Sequence, residues 1–304
     1  MRYKYLILFL FISFSFQLKA QNSQFIVQET SVIHYKTYGK GKPVVIINGG
    51  PGMNCNGFEK VASKIADMGY NAIIYDQRGT GKSIVDSVHE GSITMNAMVQ
   101  DLETLRKHLG YSEWVILGHS FGGLLATCYA YQYPNHVSKL IFSSSGGINL
   151  DFMTYVSGTI NHNLSKTASD SLSYYNNLLD NDDTSASTMR NRADIIANAY
   201  VYNKKNACII ADRLIEANYE INGLVFKDLK KSGYDFSNKF SDFKQAVLVL
   251  QGKNDIIKTE TAEKISDAFM NSRLVLLNKC GHYGWMDVPK KYWKAIETFL
   301  KSDK

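Results

Sequence analysis

Short apolar runs alternate with helix-period segments along most of the chain. Pro43–Asn48, Asn71–Tyr75, Trp114–Leu117, Val137–Phe142, Ala246–Gln251 and Leu274–Leu277 carry apolar residues without polar alternation. Strands buried on both faces read this way, so these runs are predicted to form a mostly parallel central sheet. Helices are predicted between them over Asn56–Met68, from about Thr94, over Leu124–Tyr133, over Thr259–Phe269 and over Lys290–Leu300. The second shows the pattern well: Met95, Met98, Leu102, Leu105 and Leu109 recur at 3–4 spacing and Gly110 stops it. Alternation of this kind implies an α/β architecture with helices on both faces. Residues 24–38 hold two β-branched and aromatic runs around Glu29-Thr30-Ser31, predicting an antiparallel hairpin at the sheet edge.

The alternation breaks twice. From 148 to 242 the chain turns polar and rich in Asn, Ser, Asp and Tyr, with helical stretches over roughly 187–203 and 206–221. This predicts a solvated helical cap inserted in a core made of 21–147 and 243–304. The other break is the N-terminus. Arg2 and Lys4 precede an apolar run from Tyr5 to Phe16, and Ala20 follows. Basic, apolar and then small is the pattern of a secretory signal peptide, expected to span 1–20 and to direct the protein to the periplasm or outside the cell. The run of about 12 residues is short of the roughly 20 that span a bilayer, so no stable membrane association is expected after cleavage.

Composition changes this picture little. Of 304 residues, 45% are hydrophobic and 20% charged, an ordinary globular balance. The formal charge of +6 falls to +3 once Arg2, Lys4 and Lys19 are removed, too weak and scattered to argue for a nucleic-acid partner. Cys55, Cys128, Cys208 and Cys280 lie far apart without a C-x-x-C. Neither zinc nor a disulfide framework is expected, and they read as buried small hydrophobes.

The chemistry clusters just after the predicted strands, where ligands of parallel sheets bind. Gly118-His119-Ser120-Phe121-Gly122 lies between a strand and a helix. This G-x-S-x-G pattern lifts a serine clear of the backbone at the sheet's rim. A serine hydroxyl is a weak nucleophile and needs a general base, which needs an orienting acid. Asp255 follows the next-to-last strand and His282 the last, giving the order Ser, Asp, His. Ser120 is therefore the candidate nucleophile, His282 the base and Asp255 its orienter. His119 lies inside the elbow and points away, and the other histidines fall on edges, helices or the insertion. A tetrahedral oxyanion needs two preset donors, and the backbone N–H groups of Phe121 and of Gly50, in Gly49-Gly50-Pro51-Gly52, are the candidates. Gly81-Lys82-Ser83 looks like the end of a P-loop, but Asp76 stands where the first glycine belongs.

Together, Asn48-Gly49-Gly50-Pro51-Gly52, Asp76-Gln77-Arg78-Gly79-Thr80-Gly81-Lys82-Ser83, the elbow and Gly281-His282 resemble the α/β-hydrolase fold and, within it, the proline iminopeptidase group of serine peptidases. The resemblance covers nearly the whole chain after residue 20. It implies a cofactor-free, metal-free hydrolase with a helical cap. The family's cap carries a glutamate, in a segment like A-R-I-E-N-H-Y-F, that grips the substrate's free amino terminus. The matching residue in Leu214-Ile215-Glu216-Ala217-Asn218-Tyr219 is Glu216. The chain departs from the family at Asn48, usually His, and at His119 and Phe121 in the elbow, where many members read Gly-Gly-Ser-Trp-Gly.

The resulting expectation is a serine aminopeptidase of the proline iminopeptidase type, releasing an N-terminal residue from short peptides. A carboxylesterase or amidase on small acyl substrates shares the same triad. A carboxylate-lined cap separates the first from the second. A non-catalytic binding protein on this fold would lack a triad member or an oxyanion glycine, and none is missing here.

Overall fold

The computed structural model describes residues 22–302. The segment expected as a signal peptide lies outside the described residues. Strand β1 (Asn22–Val27) pairs antiparallel with β2 (Ser31–Tyr38), forming the edge hairpin. Next come β3 (Pro43–Ile47), α1 (Glu59–Asp67), β4 (Asn71–Tyr75) and a two-residue β5 (Ile84–Val85) paired with β2. Then follow α2 (Met95–His108), β6 (Trp114–His119), α3 (Phe121–Gln132) and β7 (Val137–Ser143). Helices α4 (Val156–Asn163), α5 (Lys166–Asp180), α6 (Ala186–Tyr200), α7 (Ala207–Leu214) and α8 (Tyr219–Lys231) form the intervening run. The chain closes with β8 (Ala246–Gly252), α9 (Thr259–Ala268), β9 (Ser272–Leu277), α10 (Gly284–Asp287) and α11 (Pro289–Lys301).

The strand order is β1-β2-β4-β3-β6-β7-β8-β9, and every pair from β4 to β9 is parallel. The apolar runs are continuous because each face of the sheet is covered. Val45, Ile47, Ile73, Ile116, Leu140 and Val247 point into one core, which α2, α3 and α9 cover. Their neighbours Val44, Ile46, Ala72, Leu117, Ile141 and Leu248 point into the other, under α1 and α11. Successive strand residues face opposite sides, so a single apolar stretch supplies both cores.

The inserted segment departs from expectation in two ways. The helix expected over 206–221 is split. After Leu214 the chain turns, and Asn218 caps α8 by accepting the Ile221 N–H. Asn218 also donates its own N–H to Gly52 O at 2.8 Å, which draws this break over the β3 loop. Nor is the segment wholly solvated. Ile221, Val225 and Leu229 of α8, with Tyr234, Phe240 and Phe243 beyond it, join the core under α2 and α3. Helix α1 also begins at Glu59, later than expected, because Gly57 holds a positive φ of 82° and donates to the Glu59 carboxylate. Three of the four cysteines are buried, but Cys208 is exposed on α7, and all four are free.

Candidate active site

Parallel strands put the loops after β3, β4, β6, β7, β8 and β9 on one rim. Ser120 sits there at φ 53°, ψ −120°, between β6 and α3. A non-glycine residue at this φ is strained by roughly 1–3 kcal/mol and persists only where its surroundings fix it. Here they do. The Ser120 N–H donates to Ser143 O at 3.0 Å, and the Ser120 carbonyl accepts from Gly123 and Gly146. The flanking glycines are required by space. A Cβ on Gly118 would lie 2.5 Å from Gly122 O, and one on Gly122 would overlap Ile47 O.

Asp255 and His282 come from the loops after β8 and β9. The Nδ1–H of His282 donates to Asp255 Oδ1 at 2.7 Å, with His282 1% and Asp255 5% exposed. The same carboxylate accepts the Ile257 N–H at 3.0 Å and Gln251 Nε2 at 2.9 Å, so its orientation is fixed twice more. With Nδ1 bonded to Asp255, Nε2 is the nitrogen left for chemistry. The His282 N–H donates to Tyr200 O at 2.7 Å, tying the base to the end of α6. His119 packs its ring 4.8 Å from the His282 ring. Its Nδ1 is committed to Ser143 O, and burial, with His282 nearby, holds its pKa well below the ordinary value. It is a neutral wall beside the base.

The structure places Gly50 and Phe121 with Ser120 in the wall of one cavity of about 310 Å³. Neither backbone N–H has a protein acceptor among the described residues. The first N–H groups of a helix are without intrahelical partners, which leaves that of Phe121 available. Gly50 adopts φ 76° in a tight turn closed by Met53 N–H on Gly50 O. Asn48 shapes this loop from beneath, donating to Gly49 O and Met53 O.

The Asp76–Ser83 stretch proves to be scaffolding for the same loop. Asp76 accepts the N–H groups of Cys55 and Lys82 and Nδ1 of His34, while Gln77 donates to Asn48 O. Burial pushes the Asp76 carboxyl up, but those donors outweigh it and the net shift is downward.

A family model described as the alpha/beta hydrolase fold matches residues 42–289. The chain belongs to the α/β-hydrolase family. A proline iminopeptidase of Clostridioides difficile (strain 630) is 27% identical over 287 residues, 90% of this chain and 94% of that protein. Two solved structures share the fold. The proline iminopeptidase of Mycobacterium smegmatis has a TM-score of 0.72 at 18% identity, over 92% of this chain and 97% of that one. An esterase from Exiguobacterium antarcticum has a TM-score of 0.69 at 20% identity, over 90% and 96%.

This α/β-hydrolase does not bring Glu216 to the serine. Glu216 is exposed and lines a separate groove with Arg213 and Trp285, where it accepts from the side chains of Asn54 and Asn56 at 2.9 and 3.0 Å. Glu216 follows Arg213 by three residues and lies past the end of α7. Arg213 itself donates to the carbonyls of Asn54 and Asn56 and stacks on Phe58, anchoring α7 to the β3 loop.

The charged side chain that does line the Ser120 cavity is Arg192. Sequence reasoning missed it. The signal was there once α6 is known to run Ala186–Tyr200, because Arg192, Ile196 and Tyr200 recur every fourth residue and all three face the cavity.

Proposed function

We propose that this α/β-hydrolase is a serine hydrolase that cleaves an ester or amide bond through an acyl-enzyme on Ser120. The observation that carries the reading is the buried 2.7 Å Asp255–His282 pair on the same rim as a serine held in a strained elbow. Ser120 attacks the carbonyl carbon while His282 Nε2 takes the hydroxyl proton. The N–H groups of Gly50 and Phe121 stabilise the oxyanion. The proton passes to the leaving group, whose bond breaks, and water then frees the acyl group by the reverse transfers. Asp255 fixes the imidazole tautomer and supports its charged form.

The finer reading is an aminopeptidase of the proline iminopeptidase type. The shared name of relatives aligned over 85–90% of the chain supports it. A second reading, ester or amide hydrolysis of acyl groups without a free amine, is supported by the cavity wall, where no carboxylate of the described residues stands to meet an ammonium. Export, with removal of residues 1–20, is part of the same proposal and rests on the N-terminal pattern.

Ser120→Ala is expected to lower turnover by roughly 10⁴–10⁶-fold and to abolish labelling by an alkyl fluorophosphonate, with the melting temperature retained. Near wild-type turnover would refute the nucleophile. Comparing prolyl-, alanyl- and N-blocked prolyl-arylamides with a short p-nitrophenyl ester separates the two finer readings. Preference for free-amine prolyl substrates supports the peptidase, and faster turnover of the N-blocked amide or ester supports the other.

A further inference from the structure

The cavity beside Ser120 is apolar over most of its wall, with Leu124, Phe152, Ile196 and Phe226 among its lining. Into this wall α6 brings one cation and no anion. Arg192 donates from Nε to Asn176 Oδ1 at 2.7 Å and from Nη1 to Tyr219 OH at 3.3 Å, both neutral acceptors. A guanidinium carries five N–H donors in a planar fork, so both hydrogens on Nη2 and one on Nη1 have no acceptor among the described residues. No carboxylate of the described residues lies within ion-pair distance of it. The contrast with its neighbour Arg190 is direct, since Arg190 is paired with both Asp194 and Asp212 on the outer side of the same helix. The two held positions of Arg192 fix the fork's plane and leave its far edge free.

We propose that Arg192 is a specificity-determining residue that binds a carboxylate carried by the substrate, so that the cavity selects anionic over neutral substrates. A fork with two free parallel donors matches a carboxylate's two oxygens, and the apolar wall strengthens that pairing relative to open solvent. The carboxylate can stand on either side of the scissile bond. On the leaving side it is the free C-terminus of a very short peptide, and on the acyl side it is the far end of a dicarboxylic monoester. The inference rests on the Ser120 reading only for which bond is cut; the binding preference is measured without it.

The test uses the full-length chain carrying Ser120→Ala, so that ligands persist, and isothermal titration calorimetry with two ligand pairs. Monomethyl adipate against dimethyl adipate reports an acyl-side carboxylate. Prolylglycine against prolylglycinamide reports one on the leaving side. At least one acid is expected to bind about tenfold or more tightly than its neutral partner, and the pair that shows this names the side. Arg192→Gln should bring that pair within about twofold, while Arg192→Lys should keep part of the preference. Equal binding within both pairs overturns the proposal, as does a preference that survives Arg192→Gln. Should Arg192→Gln fail to fold, Tyr219→Phe and Arg192→Lys are compared with the parent: an unchanged preference in both overturns it, and a reduced one in both supports it. Fluorophosphonate labelling of the wild-type chain is read separately, so a failure of the nucleophile is not mistaken for a failure of the anion site.

Discussion

Ser23 donates to His34 Nε2 at 2.6 Å, and His34 Nδ1 donates to Asp76 Oδ2 at 2.7 Å. On paper this is a second Ser–His–Asp chain. Ser23, however, is exposed on edge strand β1 in ordinary extended pairing, and Asp76 is already spent on holding the loop above β3. Geometry of three side chains is therefore not enough; the Ser120 group differs by its elbow, its cavity and its two free N–H donors. Glu216 makes the converse point. Because its carboxylate sits outside the cavity, Glu216→Gln is expected to leave KM for free-amine and N-blocked substrates unchanged within about twofold, as steady-state kinetics would show. A selective rise in KM for free amines would return it to the site. Ser120, Asp255 and His282 could be singled out in the sequence because each follows an apolar strand run, and the parallel direction of those strands puts all three at one end of the sheet. Glu216 and Arg192 could not be placed, because a helix turns a side chain by about 100° per residue, so one residue of uncertainty in a break moves a group to another face.

At the level of elements, the strands and the helices that cover them were legible from period alone. Of the inserted helices, α6 was legible in the stretch over 187–203, but α4 and α5 were not, since they bury almost no residue of their own. One carboxylate adds to the bonds that join this layer to the catalytic rim. Asp287, at the end of α10, accepts the N–H groups of Gly281, Tyr202 and Asn203, so it clasps the His282 loop to the exit of α6. As a positioning residue it acts through His282. Asp287→Ala is expected to lower kcat by roughly tenfold to a hundredfold while KM moves by less than about threefold. A loss confined to KM, or to melting temperature alone, would assign it a merely structural part.

For the whole molecule, loss of stability in acid follows from carboxyls shared between elements. Glu103 of α2 pairs with Arg106 and accepts from Tyr129 of α3. Burial pushes its carboxyl up, but these partners outweigh it and bring it to about 2. Asp76 is shifted the same way. A folded-state value below the unfolded one means the unfolded chain binds more protons, so stability rises with pH. That contribution is complete above the ordinary carboxylate range and is lost as pH falls through about 2. The melting temperature should thus decline on acidification below about pH 5, and Glu103→Gln should flatten the decline. An equally steep decline in the variant would remove Glu103 from the account.

The backbone of Ser120 has one more consequence. Its left-handed φ is held in place by backbone partners drawn from β7, the loop beyond it and the first turn of α3, and by glycines that touch the β3 strand. A chain that has not assembled these strands side by side has an ordinary, relaxed serine there. Chemical reactivity at residue 120 is thereby coupled to tertiary assembly, and a covalent serine probe becomes a folding sensor: the labelled fraction counts the molecules whose sheet is closed, whatever their substrate proves to be.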